Sequence, residues 1–227
     1  MAELVHEFGR HGADIAYHPI VGGGANSCVL HYADNDQTLR AGDLLLIDAG
    51  CEHQYYASDV TRTFPVGGRY SAAQRAVYGV VLAAQRAALA KVRPGNHWNE
   101  PHDAAVRAIT AGLVRLGLLK GPVASLVRDG AYRKFFMHRT GHWLGIDVHD
   151  VGDYKVGDEW RVLEPGMALT VEPGVYIPAG TRGVPKKFWN IGIRIEDDVA
   201  VTATGHEVLT AAAPTDPDAI ERLMAAA

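Results

Sequence analysis

The chain has 227 residues, 48% hydrophobic and 21% charged, which is enough for one large domain or two small ones with a real core. A formal net charge of -4 leaves no basic stripe to displace counterions from phosphate, which argues against a general nucleic-acid binder. Two cysteines, Cys28 and Cys51, are too few for a secreted disulfide framework and fit a reduced cytoplasmic protein, while no cleavable apolar leader or membrane-length apolar run is found, so the chain reads as soluble and untargeted.

In chain order, Leu4, Val5 and Phe8 predict an amphipathic helix over residues 3–11. The run IVGGGANS at 20–27 matches neither a dinucleotide fingerprint nor a phosphate loop, and is expected to be a flexible loop beside a strand. CVLHY at 28–32 and DLLLIDAG at 43–50 are expected strands, each carrying one polar group, His31 and Asp48. Asp48 follows Leu44 to Ile47 without a break and should be as buried as they are, yet a buried carboxylate needs a partner. Standing alone it would read as a strand-end residue capping a turn. Eleven residues on comes Asp59, in SDVTRTF, where Val60, Arg62 and Phe64 alternate with Asp59, Thr61 and Thr63. That alternation predicts a strand returning beside the first, so that two aspartates on adjacent strands could face one cation.

Ser71 with Gln74 forms a capping box ahead of a helix whose apolar stripe is Val77, Val80, Val81, Ala84 and Ala88, ending near Arg93. A second helix is predicted over 99–116 and a shorter one over 123–129, with His97 and His102 read as surface histidines because their spacing of five is wrong for paired helical ligands. The stretch MHRTGHWLGIDVHD at 137–150 packs three histidines and two aspartates into an apolar neighbourhood. If extended, it puts His138 and His142 on one face and His149 on the other, unless Gly141 or Gly145 turns the chain. MALTVEPGVY at 167–176 predicts a strand carrying Glu172 and broken at Pro173-Gly174. IGIRIEDDVAV at 191–201 predicts one alternating strand with Arg194 and Glu196 on a shared face, and 217–224 a closing helix. Asp48, Asp59, His142, Glu172 and Glu196 together make a hard, oxygen-rich donor set that suits Mn(II) or another divalent first-row ion rather than structural zinc. Four carboxylates overload one cation and balance two, which implies metal-assisted hydrolysis.

IDAG at Ile47, SDVTRTFPV at Ser58, MHRTGHWLGIDVHDVG at Met137, LEPGMALTVEPGVY at Leu163 and IGIRIEDDV at Ile191 closely resemble, in order, the catalytic domain of Xaa-Pro aminopeptidases of the pita-bread metallopeptidase superfamily. The resemblance implies an α+β pita-bread fold, a curved antiparallel sheet flanked by helices. It also implies that Asp48, Asp59, His142, Glu172 and Glu196 bind two divalent ions, Mn2+ first with Co2+ or Zn2+ as alternatives, and that Asp59 and Glu196 bridge them. By similarity Glu172 handles the water's proton, His149 steadies the oxyanion, His31 and His138 line the proline side, and Arg194 holds Asp48 and works with Tyr176 in proton movement. The expected substrate is a peptide with proline second, without nucleic-acid or membrane partners and with a homo-oligomer left open. Residues 1–227 are expected to be a single catalytic domain without the family's N-terminal domain. Two alternatives are kept: an Xaa-Pro dipeptidase, for which Arg182, Lys186 and Lys187 could supply the positive group that holds a substrate carboxylate, and a catalytically weak, partner-dependent metal-binding domain.

Overall fold

The computed structural model describes residues 1–226. The elements run α1 (Ala2–Arg10), β1 (Asp14–Ile15), β2 (Ile20–Gly23), β3 (Leu44–Ala49), β4 (Cys51–His53), β5 (Tyr56–Ala57), β6 (Val60–Pro65), α2 (Ala72–Leu89), α3 (Asn99–Arg115) and α4 (Val123–Arg128). They continue with β7 (Lys155–Val156), β8 (Glu159–Trp160), β9 (Ala168–Val171), β10 (Gly174–Ile177), β11 (Ile191–Arg194), β12 (Asp197–Val201), β13 (His206–Val208) and α5 (Pro217–Ala225). Every strand pairing is antiparallel and the long helices pack together, which is the α+β arrangement expected.

Two three-stranded ladders carry the middle of the molecule: β2-β3-β6 and β13-β12-β9. They are joined where Thr61 of β6 bridges Glu196, whose N–H donates to the Thr61 carbonyl at 3.0 Å. Residues 140–144 extend the second ladder on the far side of β9, through Glu172 N–H to the Thr140 carbonyl and Thr170 N–H to the His142 carbonyl. The backbone therefore runs as adjacent extended segments from β2 across to His142. Helices α2 and α3 cover one face, and the predicted stripe of α2 is buried, with Ser71 and Gln74 forming the capping box. The α2–α3 contact is close because Gly112 faces Val80, and a β-carbon on Gly112 would lie 2.5 Å from a Val80 methyl.

Four expectations are corrected. Residues 20–23 form a strand rather than a loop, and 28–32 form no strand. The reason is occupancy: β3 has only two edges, β2 takes one with Ile20 opposite Asp48, and β6 takes the other with Thr61 opposite Asp48. The chain between them folds back in a 3-10 turn over Gly24–Cys28, which Gly22 permits because a β-carbon there would come within 2.9 Å of the Asn26 carbonyl oxygen. The predicted single strand over 191–201 is two, β11 and β12, with Glu196 at the switch from the β10 hairpin to the β9 ladder. His102 is no surface residue either: its Nδ1 lies 2.8 Å from Thr140 Oγ1 and its ring tilts against Phe136. No helix among the described residues is long and apolar enough to cross a membrane.

Candidate active site

Five neighbouring backbone segments deliver the five predicted ligands to one place. Asp48 comes from β3, Asp59 from the residue before β6, Glu196 from the β11–β12 switch, Glu172 from the end of β9, and His142 from the segment paired with β9. Asp59, His142 and Glu196 each offer a donor atom within 4.8 Å of the others, while Asp48 and Glu172 flank this trio. All five line one cavity of about 700 Å³, together with His31, His138, His149 and Arg194.

Burial of so many acids is paid for by few visible partners. Asp48 is 8% exposed, Asp59 5%, Glu196 2% and Arg194 4%, so these groups are largely removed from water. Arg194 donates to Asp48 Oδ2, to Tyr176 Oη at 3.0 Å and to Thr61 Oγ1 at 3.2 Å, and lies 3.9 Å from Glu196. The face shared by Arg194 and Glu196 is thus a buried network and not a solvent-facing ion pair. Thr61 also donates to Glu196 Oε2 at 2.6 Å. Behind Glu196, Arg62 donates to the Glu196 carbonyl at 2.5 Å and to Asp197 at 2.6 Å, fixing the strand switch. Burial pushes Glu172 up to about 7 against the pull of His142 and Arg194. Burial raises Asp48 against Arg194, and burial with the charges of Asp59, Glu172 and Asp48 raises Glu196 well above the carboxylate range.

His142 supplies the clearest test of what belongs here. Its Nδ1 lies 2.9 Å from the Trp143 carbonyl oxygen, which can only accept, so Nδ1 carries the hydrogen. Nε2 then faces Asp59 Oδ2 at 3.4 Å and Glu172 Oε1 at 3.9 Å. Acceptor atoms brought this close repel unless a proton or a metal cation sits among them. Burial opposes protonation of His142, but Asp59, the Trp143 carbonyl and Glu172 outweigh it and the net direction is upward. The donor set, two kinds of hard ligand around a surplus of buried negative charge, fits divalent metal ions.

The other predicted residues take distinct places. His138 donates from Nδ1 to the Arg139 carbonyl at 2.6 Å, so its Nε2 accepts from the Tyr176 hydroxyl at 2.9 Å, and Tyr176 in turn accepts from Arg194. Burial and then Arg194 push His138 down to about 3, consistent with that neutral tautomer. Burial drives Tyr176 up to about 12. His149 does not stay on the opposite face. Gly145 N–H bonds the Asp147 carbonyl and Asp150 N–H bonds the Trp143 carbonyl, so the chain turns and brings the His149 ring edge-on to His142 at 4.3 Å. His31 lies at the exposed rim, on a turn instead of a strand. Arg182, Lys186 and Lys187 do not line the cavity; Lys186 and Lys187 lie over Trp189 and Phe188.

Sequence reasoning missed several members. The Tyr17 hydroxyl sits between Asp48 Oδ1 and Asp59 Oδ1, 2.5 Å from the latter, and burial with those two charges raises it far above the phenol range. Asp198 Oδ2 accepts from the Asp59 N–H at 3.0 Å. Trp98, Tyr154 and Trp160 form an aromatic side of the cavity, bordered by Arg139 and Lys155. The adjacent acids Asp197 and Asp198 leading into Val199, Ala200 and Val201 were a signal available for Asp198; Tyr17 carried none, because its neighbours are 31 and 42 residues away.

The sequence model of Metallopeptidase family M24 matches residues 1–203. The Xaa-Pro aminopeptidase of Escherichia coli K12 is 53% identical over 226 residues, covering 99% of this chain and 51% of that protein. That of Haemophilus influenzae is 51% identical over 224 residues, covering 98% and 52%. Among solved structures, aminopeptidase PepP of Pseudomonas aeruginosa superposes with a TM-score of 0.98 at 60% identity, over 99% of this chain and 51% of that one. Proline aminopeptidase P II of Yersinia pestis gives 0.96 at 56% identity, over 100% and 52%. The chain therefore spans about half the length of the relatives it matches.

Proposed function

The chain belongs to metallopeptidase family M24 and has its α+β pita-bread fold, and from that premise we propose that it hydrolyses the bond between the first residue of a peptide and a proline in second position. The observation that carries the reading is Nε2 of His142 facing Asp59 and Glu172 while Nδ1 is held by the Trp143 carbonyl, an arrangement that a divalent cation bound among them would satisfy. We assign Asp48, Asp59, His142, Glu172 and Glu196 as ligands of two divalent ions, Mn2+ first among them. When bound, such ions supply Lewis-acid polarisation of the scissile carbonyl and a water acidic enough to react near neutral pH.

The chain's own residues do the rest. Glu172 takes the proton of the attacking water and returns it to the leaving nitrogen. His149, beside His142, donates to the oxyanion that develops at the carbonyl. The chain of hydrogen bonds from His138 through Tyr176 to Arg194 and Asp48 keeps His138 neutral and orients Asp48 before substrate arrives. Proline nitrogen in a peptide bears no hydrogen, so recognition falls to the ring, and His31 and His138 with Leu30 border the space for it. We read residues 1–227 as one catalytic domain and place the protein in the cytoplasm, where its two free thiols are stable.

The test compares Xaa-Pro-Yaa tripeptides with Xaa-Pro dipeptides while Mn(II) is titrated in. Release of the first residue from tripeptides but not dipeptides is the expected result; the reverse makes the protein a dipeptidase. Protein free of metal by elemental analysis, after growth with added Mn, overturns the metal assignment.

A further inference from the structure

We propose that Arg139 and Lys155, gathered around the Trp160 ring, form a subsite that reads a peptide carboxylate beyond the proline; the inference rests on the peptidase reading above. Arg139 Cζ lies 5.2 Å and Lys155 Nζ 4.7 Å from the centre of that one indole, and all three side chains line the cavity that holds the metal-ligand candidates. Neither cation has a carboxylate within 4.0 Å among the described residues. Arg194, the third cation of the cavity, is committed to Asp48, Tyr176 and Thr61 and is buried, so it is not free to greet a ligand. The cavity is thus polarised: carboxylates crowd its floor, and unpaired positive charge stands on its aromatic side.

The subsite is built on fixed backbone. Arg139 is three residues before His142, on the segment whose next residue, Thr140, accepts from Glu172 N–H. Lys155 stands directly across the β7–β8 hairpin from Trp160. That hairpin is anchored to the start of α3: Trp98 N–H donates to the Arg161 carbonyl at 2.9 Å, and Tyr154 packs on Trp98 with ring centres 4.8 Å apart. Aromatic faces hold the two long cationic side chains by cation–π attraction while leaving their N–H groups free. A carboxylate is the group that such a pair accepts, and repulsion from Asp48, Asp59, Glu172 and Glu196 keeps it away from the floor. Two sources share this chemistry, the C-terminal carboxylate of a tripeptide and an acidic side chain after the proline.

Matched pairs separate them. With the Mn-loaded protein, kcat/KM is measured for an Xaa-Pro-Leu free acid against its C-terminal amide, and for Xaa-Pro-Glu amide against Xaa-Pro-Gln amide. The charged member should lead by about 3- to 10-fold in at least one pair, mainly through KM, with the lead shrinking as salt is raised. A lead confined to the first pair identifies the terminal carboxylate, and a lead in both identifies carboxylates in general. In Lys155→Met and in Arg139→Met with Lys155→Met the lead should fall below about two-fold. Because the readout is a ratio within one protein, a change in folding or metal loading cancels. Equal rates within both pairs, or a lead that persists in the double variant, overturns the subsite. If the parent protein turns over none of the four peptides, the peptidase reading is what has failed, and calorimetric binding of the same pairs to Glu172→Gln then judges the subsite alone.

Discussion

His142 is fixed by the Trp143 carbonyl on one side, and Tyr17 stands between Asp48 and Asp59 on another, so the donor atoms are oriented before any ion arrives. Two substitutions probe these roles. Glu172→Gln keeps the shape and removes the proton acceptor; turnover should fall by roughly 10²- to 10⁴-fold with manganese content by elemental analysis largely retained. A variant within about ten-fold of the parent would remove Glu172 from proton transfer. Tyr17→Phe deletes the hydroxyl between the carboxylates of Asp48 and Asp59, both proposed as ligands; Mn(II) affinity by calorimetric titration should weaken by about 10- to 100-fold. An unchanged affinity would leave Tyr17 as packing. Asp48 was legible in the sequence because a carboxylate that ends an apolar strand is buried with it and must find a partner there, and Glu172 for the same reason. Tyr17 was not, since an aromatic residue between Ala16 and His18 looks the same whether or not it ends between two acids. His102 misled because helical spacing describes one helix face and says nothing of Thr140, 38 residues away.

At the level of elements, the site exists because extended segments are laid side by side, and its order is β3, β6, the Glu196 switch, β9 and the 140–144 segment. The last of these joins is the most exacting. A β-carbon on Gly141 would lie 2.1 Å from the Thr170 carbonyl oxygen, and backbone cannot yield as a flexible side chain can. Gly141→Ala should therefore cost roughly 1–3 kcal/mol of stability, read as a lowered urea midpoint. It should also weaken Mn(II) binding, because His142 moves with the segment. A variant of parental stability and affinity would mean that the segment is not held by this contact. The strand over 43–50 was readable from its unbroken run of branched apolar residues, the one in SDVTRTF from alternation, and the capping box of α2 from Ser71 and Gln74. The split of 191–201 into β11 and β12 was not, because both faces of that run are buried and its alternation is blind to a change of partner at Glu196.

Over the whole molecule the balance of charge governs stability, since four carboxylates crowd the floor of the cavity with Arg194 as the one cation bonded among them. His102 is pushed by burial from 6.5 to about 4, so between those values the unfolded chain holds a proton that the folded one lacks, and stability rises with pH through that window. Glu172 is raised from 4.5 to about 7, so there the folded chain holds the extra proton; its contribution is complete below 4.5 and is lost as pH climbs through 7. The upward shifts of Asp48 and Glu196 act in the same sense as Glu172. The two trends oppose each other up to 6.5, and above it the raised groups remain, the carboxylates and His142, all acting in one sense. Metal-free protein, prepared with a chelator, should accordingly melt at a lower temperature at pH 8 than at pH 6.5. Manganese held as proposed would take the deprotonated carboxylates and compete with those same protons, so its stabilising effect should grow over the same interval. At a hundred-fold excess over its Kd it contributes about 2.7 kcal/mol, or roughly 5–10 °C in Tm for a chain of this size. Calorimetric scans at pH 6.5, 7.2 and 8, with chelator and with Mn(II), measure both slopes. A chelated protein whose Tm holds steady or rises over that range, or a manganese shift that shrinks with pH, would show that the buried carboxylates do not dominate the balance.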